Sequence, residues 1–482
     1  MPDVQMSARA LAGLLGDWRG SDGAYRALSD RIQLLILDGR IPAGTRLPAE
    51  RELATILQLS RTTVAAAYGR LRDRDFLRSV RGSGSIARLP GVRPVSTSLG
   101  EGPCLDFSKA AMPAISQVTA ASVAAAEQLP RFLTGYDYDP VGIGELRAGI
   151  ADRYTAAGLP TNEDQIMITL GALNAVGLVA RSRIVRGDRT VIEMPSYPVA
   201  YDVLRTTGAR LVPITVTTQS PDRTTGGWDV AMVEQAIERT SPALAYLMPD
   251  FHNPTGASMP ADVRARICRV AARQGTMIVI DETTADLDID RRTDFMPFAA
   301  YDEYGAEIVT IGSAGKTVWG GLRLGWVRAD AATIDKLVAE RAAYDLGTPV
   351  LEQLMLLELL PHLPEIIETR RSQLRETRDR LEVLLGSHFP DWTVPHIDGG
   401  LAVWVGLGAP LSSQLALAAR SQGLVIAAGP RFGIDGAFER FLRVPITYGL
   451  DETERAIEAL QRAWQAILRT PMPVTADLTP VI

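Results

Sequence analysis

The chain runs to 482 residues, 46% hydrophobic and 22% charged, with a formal net charge of −6. At ~100–200 residues per domain this length calls for two or three domains, and the hydrophobic content excludes a chain disordered throughout. Two cysteines, Cys104 and Cys268, are too few for a disulfide framework or a zinc site. No uncharged apolar run reaches the ~18 residues of a membrane span, and no basic flank precedes an apolar stretch as in a signal peptide. The expectation is a cytoplasmic protein with no metal and no membrane partner. Charge is unevenly spread. Through Pro90 there are 14 Arg, no Lys and 9 Asp or Glu, a balance of +5 that leaves −11 for the remainder. A basic N-terminal segment on an acidic body points to a nucleic-acid-binding module joined to something else.

Tyr25, Leu28, Ile32, Leu35 and Ile36 fall on one face of a helix that ends at Asp38-Gly39. A short helix over residues 49–57 follows, with Leu53, Ile56 and Leu57 inward, and Gln58-Leu59 turns the chain. Ser60 is suited to cap a third helix whose first turn holds Arg61, Thr62 and Thr63, and whose apolar stripe is Val64, Ala67, Tyr68 and Leu71. Two short helices across a tight turn make a helix-turn-helix, with the polar start of the second reaching base edges and phosphates. Residues 76–87 read as a β-hairpin with a glycine-rich tip, Arg81-Gly82-Ser83-Gly84, a wing slim enough to approach a groove. The run Leu47-Pro48-Ala49-Glu50-Arg51-Glu52-Leu53-Ala54, then Leu59-Ser60-Arg61-Thr62-Thr63-Val64, resembles the winged helix-turn-helix of GntR-type bacterial repressors over roughly residues 20–88. That resemblance places Arg51, Ser60, Arg61, Thr62, Thr63, Arg81 and Gly82 at DNA-contacting positions.

Residues 89–105 carry Pro90, Gly91, Pro94, Gly100, Gly102 and Pro103 without apolar periodicity, as a linker does. Beyond it, short apolar strands at 166–170, 190–193, 245–248, 278–281 and 308–311 alternate with helices. This pattern predicts a parallel sheet with helices on both faces and ligands at the strand ends.

Lysine is nearly absent; only Lys109, Lys316 and Lys336 occur. Lys316 lies in Ser313-Ala314-Gly315-Lys316, shortly before Gly320-Gly321-Leu322-Arg323. A small-residue turn presenting one amine, with a Ser and an Arg beside it, suits an aldehyde cofactor that carries a phosphate: the amine forms a Schiff base while Ser313 and Arg323 hold the phosphate. Ala172 and Leu173 open a helix after a strand, another place for phosphate. Asp281 ends a strand and is placed to pair with a protonated pyridine nitrogen. Asn253 is placed to donate to a ring phenolate and Tyr197 to stack on the ring. Each has a bland alternative: a helix cap for Asp281, a plain turn for Asn253, a core aromatic for Tyr197.

In this order these residues resemble the fold-type I pyridoxal-phosphate enzymes, the aspartate aminotransferase superfamily. The likeness spans about residues 106–464, including Asp398-Gly399-Gly400-Leu401 and Leu442-Arg443-Val444-Pro445. It implies an α/β body with a large, mainly parallel-sheet domain (about 106–345) and a smaller C-terminal α+β domain (about 346–470). It implies pyridoxal 5'-phosphate on Lys316, Arg443 as the grip for an effector carboxylate, and Tyr138 reaching the phosphate of a neighbouring subunit. One departure stands out. Thr283 and Thr284 occupy the positions where the family carries a tyrosine that hydrogen-bonds the ring oxygen, so efficient transamination is not expected. A winged helix over residues 18–88 joined to such a body resembles the MocR subfamily of GntR-type regulators. The resemblance implies a head-to-tail homodimer that binds double-stranded operator DNA and responds to an amino-compound effector, or to the cofactor itself. An active aminotransferase with an accessory DNA-binding domain is the alternative.

Overall fold

The computed structural model describes residues 5–16, 18, 23–37, 40–41, 45–74, 76–80, 84–88, 104–136, 139–218, 227–291, 295–434 and 436–469. The chain divides into two compact units: residues 1–108 with 406–442 and 454–482, and residues 109–405 with 443–453. The strands Ala402–Gly406 and Phe441–Pro445 run across that division.

The first unit opens with four helices, Ala8–Leu15, Ala24–Leu37, Glu50–Leu57 and Arg61–Asp73. A hairpin follows, Leu77–Val80 against Gly84–Ala87, antiparallel with Leu77 opposite Ala87 and Val80 opposite Gly84. Most of the periodic residues pack inward, Leu28, Ile32, Leu35, Leu53, Val64, Ala67, Tyr68 and Leu71 sharing one core, whereas Tyr25 and Ile56, expected on the inner faces, are exposed because each lies at the margin of its helix's apolar stripe. Tyr68 keeps its hydroxyl satisfied there by donating to Pro48 O at 3.0 Å. The turn between Glu50–Leu57 and Arg61–Asp73 is closed by Gln58, a non-glycine residue at φ +54°, whose backbone N–H caps the Ala54 and Thr55 carbonyls. The helix Ala8–Leu15 is not anticipated by the sequence reading, yet Leu11 and Leu15 are fully buried in the same core. Elsewhere in this unit, Leu424–Ala428 pairs in parallel with Leu105–Phe107.

The second unit is built on a seven-stranded sheet ordered Ile166–Thr169, Gly325–Arg328, Ile308–Ser313, Met277–Asp281, Leu244–Leu247, Arg189–Met194, Arg210–Thr215. Every pairing is parallel except those of Gly325–Arg328, which runs antiparallel to both neighbours. Ile166–Thr169, Leu244–Leu247 and Met277–Asp281 are buried at every position, as strands covered on both faces must be, which explains their apolar character up to Thr169 and Asp281 at two of the strand ends. Helices Ala172–Arg183, Pro198–Thr206, Val230–Thr240 and Ala261–Gln274 connect successive strands. Among the described residues no helix is long and apolar enough to cross a membrane.

Candidate functional site

Two sets of polar residues stand out, one in each unit. In the first unit, Ser60 caps the helix Arg61–Asp73. Its Oγ accepts from Thr63 N at 3.0 Å and lies 2.7 Å from both the Thr62 and Thr63 hydroxyls. The cap holds Arg61 and Thr62 exposed at the helix start, with Thr63 half-buried. Arg51 is exposed on the preceding helix. Among the described residues Arg51 and Arg61 form no ion pair, whereas Arg70 and Arg74 are held by Asp30 at 3.2 and 3.1 Å and Arg72 faces Glu50 at 3.9 Å. Arg81 and Gly82 at the wing tip lie outside the described residues.

In the second unit the parallel strands deliver their following residues to one edge of the sheet. Lys316 follows Ile308–Ser313, Asp281 ends Met277–Asp281, Tyr197 follows Arg189–Met194, and Ala172 and Leu173 follow Ile166–Thr169. Lys316 is half-buried, with Nζ donating to Ala110 O at 3.0 Å. Burial pushes its pKa down; the Arg443 guanidinium adds to this, Asp281 opposes it, and Arg323 lowers it further. A depressed lysine holds more of the neutral, nucleophilic amine at neutral pH. Tyr197 lies within the same field: burial and then Asp281 raise its pKa, while Arg443 and Arg323 lower it. Lys316 and Tyr197 thus each lie within electrostatic reach of Asp281, Arg323 and Arg443. Arg443 itself is buried, and desolvation brings its pKa down to about 10 against the pull of Tyr448 and Tyr197.

Arg323 adopts a left-handed backbone at φ +53°. Its Nη2 donates to Leu170 O at 3.3 Å and lies 3.0 Å from where a Cβ on Gly171 would sit. A glycine is therefore needed at 171, where φ is +87°. The guanidinium thereby stands beside the first turn of Ala172–Arg183, where Asn174 N and Ala175 N donate to Gly171 O and the Ala172 and Leu173 N–H groups precede the intrahelical ladder. Gly325 completes the cradle, since a Cβ there would come within 2.7 Å of Ala172 N. Ser313 Oγ accepts from Gly315 N at 3.0 Å and donates to Leu324 O at 3.2 Å, fixing the turn that presents Lys316. Asn253 is half-buried in the tight turn 252–257, closed by His252 N to Ala257 O at 2.8 Å and Gly256 N to His252 O at 2.7 Å. Tyr138 lies outside the described residues.

Several residues here were not singled out in the sequence. Tyr246, fully buried, donates its hydroxyl to Asp281 Oδ2, and Asp281 Oδ1 accepts from Thr283 N at 3.0 Å. An aromatic in the otherwise aliphatic strand Leu244–Leu247 was the available signal. Glu193 accepts from Trp228 Nε1 at 2.8 Å and Met248 N at 2.9 Å, with His252 Nε2 3.3 Å from its second oxygen. This buried network supports the residue next to Asn253. Arg370, also buried, donates to Thr317 O at 2.8 Å, Val318 O at 3.0 Å and Pro113 O at 2.6 Å. It ties the turn after Lys316 to the segment that contains Ala110. Of the two threonines at the expected tyrosine positions, Thr284 is buried and spends its hydroxyl on Asp250 O at 2.7 Å.

An amine with a depressed pKa, an anion for a ring nitrogen, and a helix start flanked by an arginine together form a donor set that fits a phosphorylated pyridine aldehyde. Comparison with known proteins agrees in class. Residues 97–460 match the aminotransferase class I and II family, and residues 24–86 match the bacterial regulatory proteins of the gntR family. The chain belongs to the aminotransferase class I and II family and carries a gntR-family regulatory module, a combination consistent with the MocR subfamily. It is 26% identical over 476 residues to the uncharacterized HTH-type transcriptional regulator YisV of Bacillus subtilis (strain 168), covering 90% of this chain and 94% of that one. It is 25% identical over 437 residues to the probable rhizopine catabolism regulatory protein MocR of Rhizobium meliloti, covering 83% and 85%. Among solved structures it is similar to LysN, an α-aminoadipate aminotransferase from Thermus thermophilus complexed with N-(5'-phosphopyridoxyl)-L-leucine. The TM-score there is 0.68 and the identity 26%, over 76% of this chain and 93% of that one.

Proposed function

We propose that this chain is a pyridoxal 5'-phosphate-dependent, effector-responsive transcriptional regulator acting in the cytoplasm as a head-to-tail homodimer. A winged module (residues 18–88) and a linker (89–105) lead into the cofactor-binding body (106–470). The observation that carries the reading is the pairing of the Lys316–Asp281–Arg323 constellation with an arginine-bearing recognition helix in the same chain. When bound, the cofactor supplies an aldehyde that bonds primary amines and a ring that withdraws electrons. Lys316 presents the amine. Arg323, Ser313 and the N–H groups of Ala172 and Leu173 hold the phosphate. Asp281, oriented by Tyr246, holds a proton on the ring nitrogen. Asn253 donates to the ring oxygen, Tyr197 covers the ring face, Arg443 receives an effector's acidic group, and Tyr138 reaches across to the partner's phosphate. Arg51, Ser60, Arg61, Thr62, Thr63, Arg81 and Gly82 contact the operator.

Thr283 and Thr284 favour this reading over a working aminotransferase. Neither side chain reaches as a tyrosine would, and the Thr284 hydroxyl is already engaged with Asp250 O. An effector that prefers one conformer of the body shifts operator affinity by its differential binding. The test screens amines and amino acids against the purified holoprotein, following the near-visible cofactor band and operator binding together. The reading expects compounds that change both, and expects Lys316→Ala to uncouple the two. Steady-state transamination on the order of 1 per second or faster would instead favour an aminotransferase with an accessory DNA-binding domain.

A further inference from the structure

The helix Ala8–Leu15 lies outside the stretch that matches the gntR family, residues 24–86. It is nonetheless a fixed part of the module. Leu11 and Leu15 are fully buried, Arg31 Nε donates to Leu15 O at 2.9 Å, and Met6 N donates to Arg46 O at 2.9 Å. Gln5 bridges Arg46 in parallel and Arg46 bridges Ile86 of the wing in antiparallel, so the segment before the helix extends the wing's own sheet. Ser7 caps the helix, its Oγ accepting from Ala10 N at 3.1 Å, which leaves the hydroxyl proton to donate outward.

These ties hold Arg9 at the start of the helix, where Ser7, Arg9, Arg51, Glu52 and Thr55 line one surface recess. All five are exposed. Among the described residues neither Arg9 nor Arg51 forms an ion pair, although Glu52 shares the recess. Thr55 spends its hydroxyl on Arg51 O at 3.0 Å, but two arginines lining one recess with no carboxylate partner, beside the Ser7 hydroxyl, are suited to successive phosphates of a nucleic-acid backbone. We infer that the helix Ala8–Leu15 extends the DNA-contacting surface, with Arg9 gripping a backbone phosphate beside the one that Arg51 meets. The inference rests on the reading that Arg51 and the helix Arg61–Asp73 face DNA. Because the contact is to phosphate, it adds affinity without sequence preference. Glu52 in the same recess weakens the local field, so the contribution of each arginine is modest.

The test uses the full-length protein and two labelled duplexes, one from upstream of its own gene and one of scrambled sequence, titrated at several salt concentrations. Arg9→Ala is expected to weaken binding to both duplexes by the same factor and to reduce the log–log salt slope by ~0.9 for each Arg9 engaged. Arg9→Lys should restore most of the slope. Arg61→Ala should instead narrow the difference between the duplexes, as loss of one base contact does. An Arg9→Ala protein with unchanged slope, alongside an impaired Arg61→Ala protein, overturns the inference and leaves the DNA-binding reading standing. A wild-type protein that binds neither duplex overturns both.

Discussion

Arginine does opposite work in the two units. In the DNA-binding module Arg9, Arg51 and Arg61 are exposed and unpaired among the described residues. In the body Arg341 is fully buried and donates to Pro140 O at 2.8 Å, Ile168 O at 2.7 Å and Thr348 Oγ1 at 2.9 Å. Arg264 forks onto Asp250 at 3.1 and 3.0 Å, and Arg370 gathers three carbonyls. One planar fork suits both settings, because its donors fit phosphate oxygens where it is exposed and scattered carbonyls where it is buried. Preference for arginine also keeps lysine scarce. Lys109 and Lys336 are exposed and Lys316 is half-buried, so few amines would compete for an aldehyde.

The contrast is broken most forcefully from the inside. Arg370→Met removes the donor that satisfies three backbone carbonyls and unlinks Pro113 from Thr317 and Val318. Unsatisfied buried groups cost ~1–3 kcal/mol each, so a loss of roughly 3 kcal/mol or more is expected, read as a shift of the denaturant midpoint of the body. Arg9→Ala, on the surface, should move that midpoint by less than ~0.5 kcal/mol. Equal midpoints for the two variants would erase the distinction.

From the outside, Arg61→Ala should leave stability and cofactor absorbance alone and weaken specific operator binding by the ~1–3 kcal/mol of a lost base contact, measured by gel retardation at fixed salt. An Arg61→Ala protein that holds its operator as tightly as wild type would put the recognition surface elsewhere.

The two units also differ in how far they could be read without coordinates. The module's helices announce themselves locally, through the stripe Val64, Ala67, Tyr68 and Leu71 and the cap at Ser60, because helical periodicity and capping are short-range. The helix Ala8–Leu15 escapes that reading; Glu50–Leu57 is just as short but is flanked by a turn and a capped helix that announce it, whereas Ala8–Leu15 has no such neighbour in the sequence. In the body, strand ends and the glycine-rich turn make Lys316, Asp281 and Arg323 conspicuous. Arg370 was invisible because Arg371, Arg375 and Arg378 on the same helix share its residue type, and only contacts with residues 113, 317 and 318 set it apart. Tyr246 was hidden for the same reason: its partner Asp281 is 35 residues away in sequence.

A smaller effect sharpens the electrostatics of the body. Glu282 follows Asp281, is buried, and accepts from Phe298 N at 2.8 Å. Burial raises its pKa to about 8 despite that hydrogen bond. The folded state therefore holds a proton that the unfolded chain, with a carboxyl pKa of ~4.3, has released. Its contribution is fully present below about pH 4 and is lost as pH rises through about 8. Urea midpoints across the neutral range should fall for wild type more steeply than for Glu282→Gln, which keeps the acceptor oxygen and has nothing to titrate. Parallel curves would mean that the carboxyl is ionised in the fold.

The finest test asks whether Lys316, Arg443 and Asp281 share one field. Addition to an aldehyde needs the neutral amine, so the rate of covalent trapping of pyridoxal 5'-phosphate with borohydride should rise with pH through the pKa of Lys316. In wild type that inflection should lie below the ordinary lysine range, because burial and the Arg443 charge disfavour the ammonium while Asp281 partly restores it. Asp281→Asn removes the restoring charge and should move the inflection lower. Arg443→Met removes an opposing charge and should move it higher. Trapping measured at saturating aldehyde separates these shifts from any loss of cofactor affinity, which Asp281→Asn also predicts. Inflections that move in the same direction, or not at all, would show that the three groups do not face one another, and the arrangement around Lys316 would have to be redrawn.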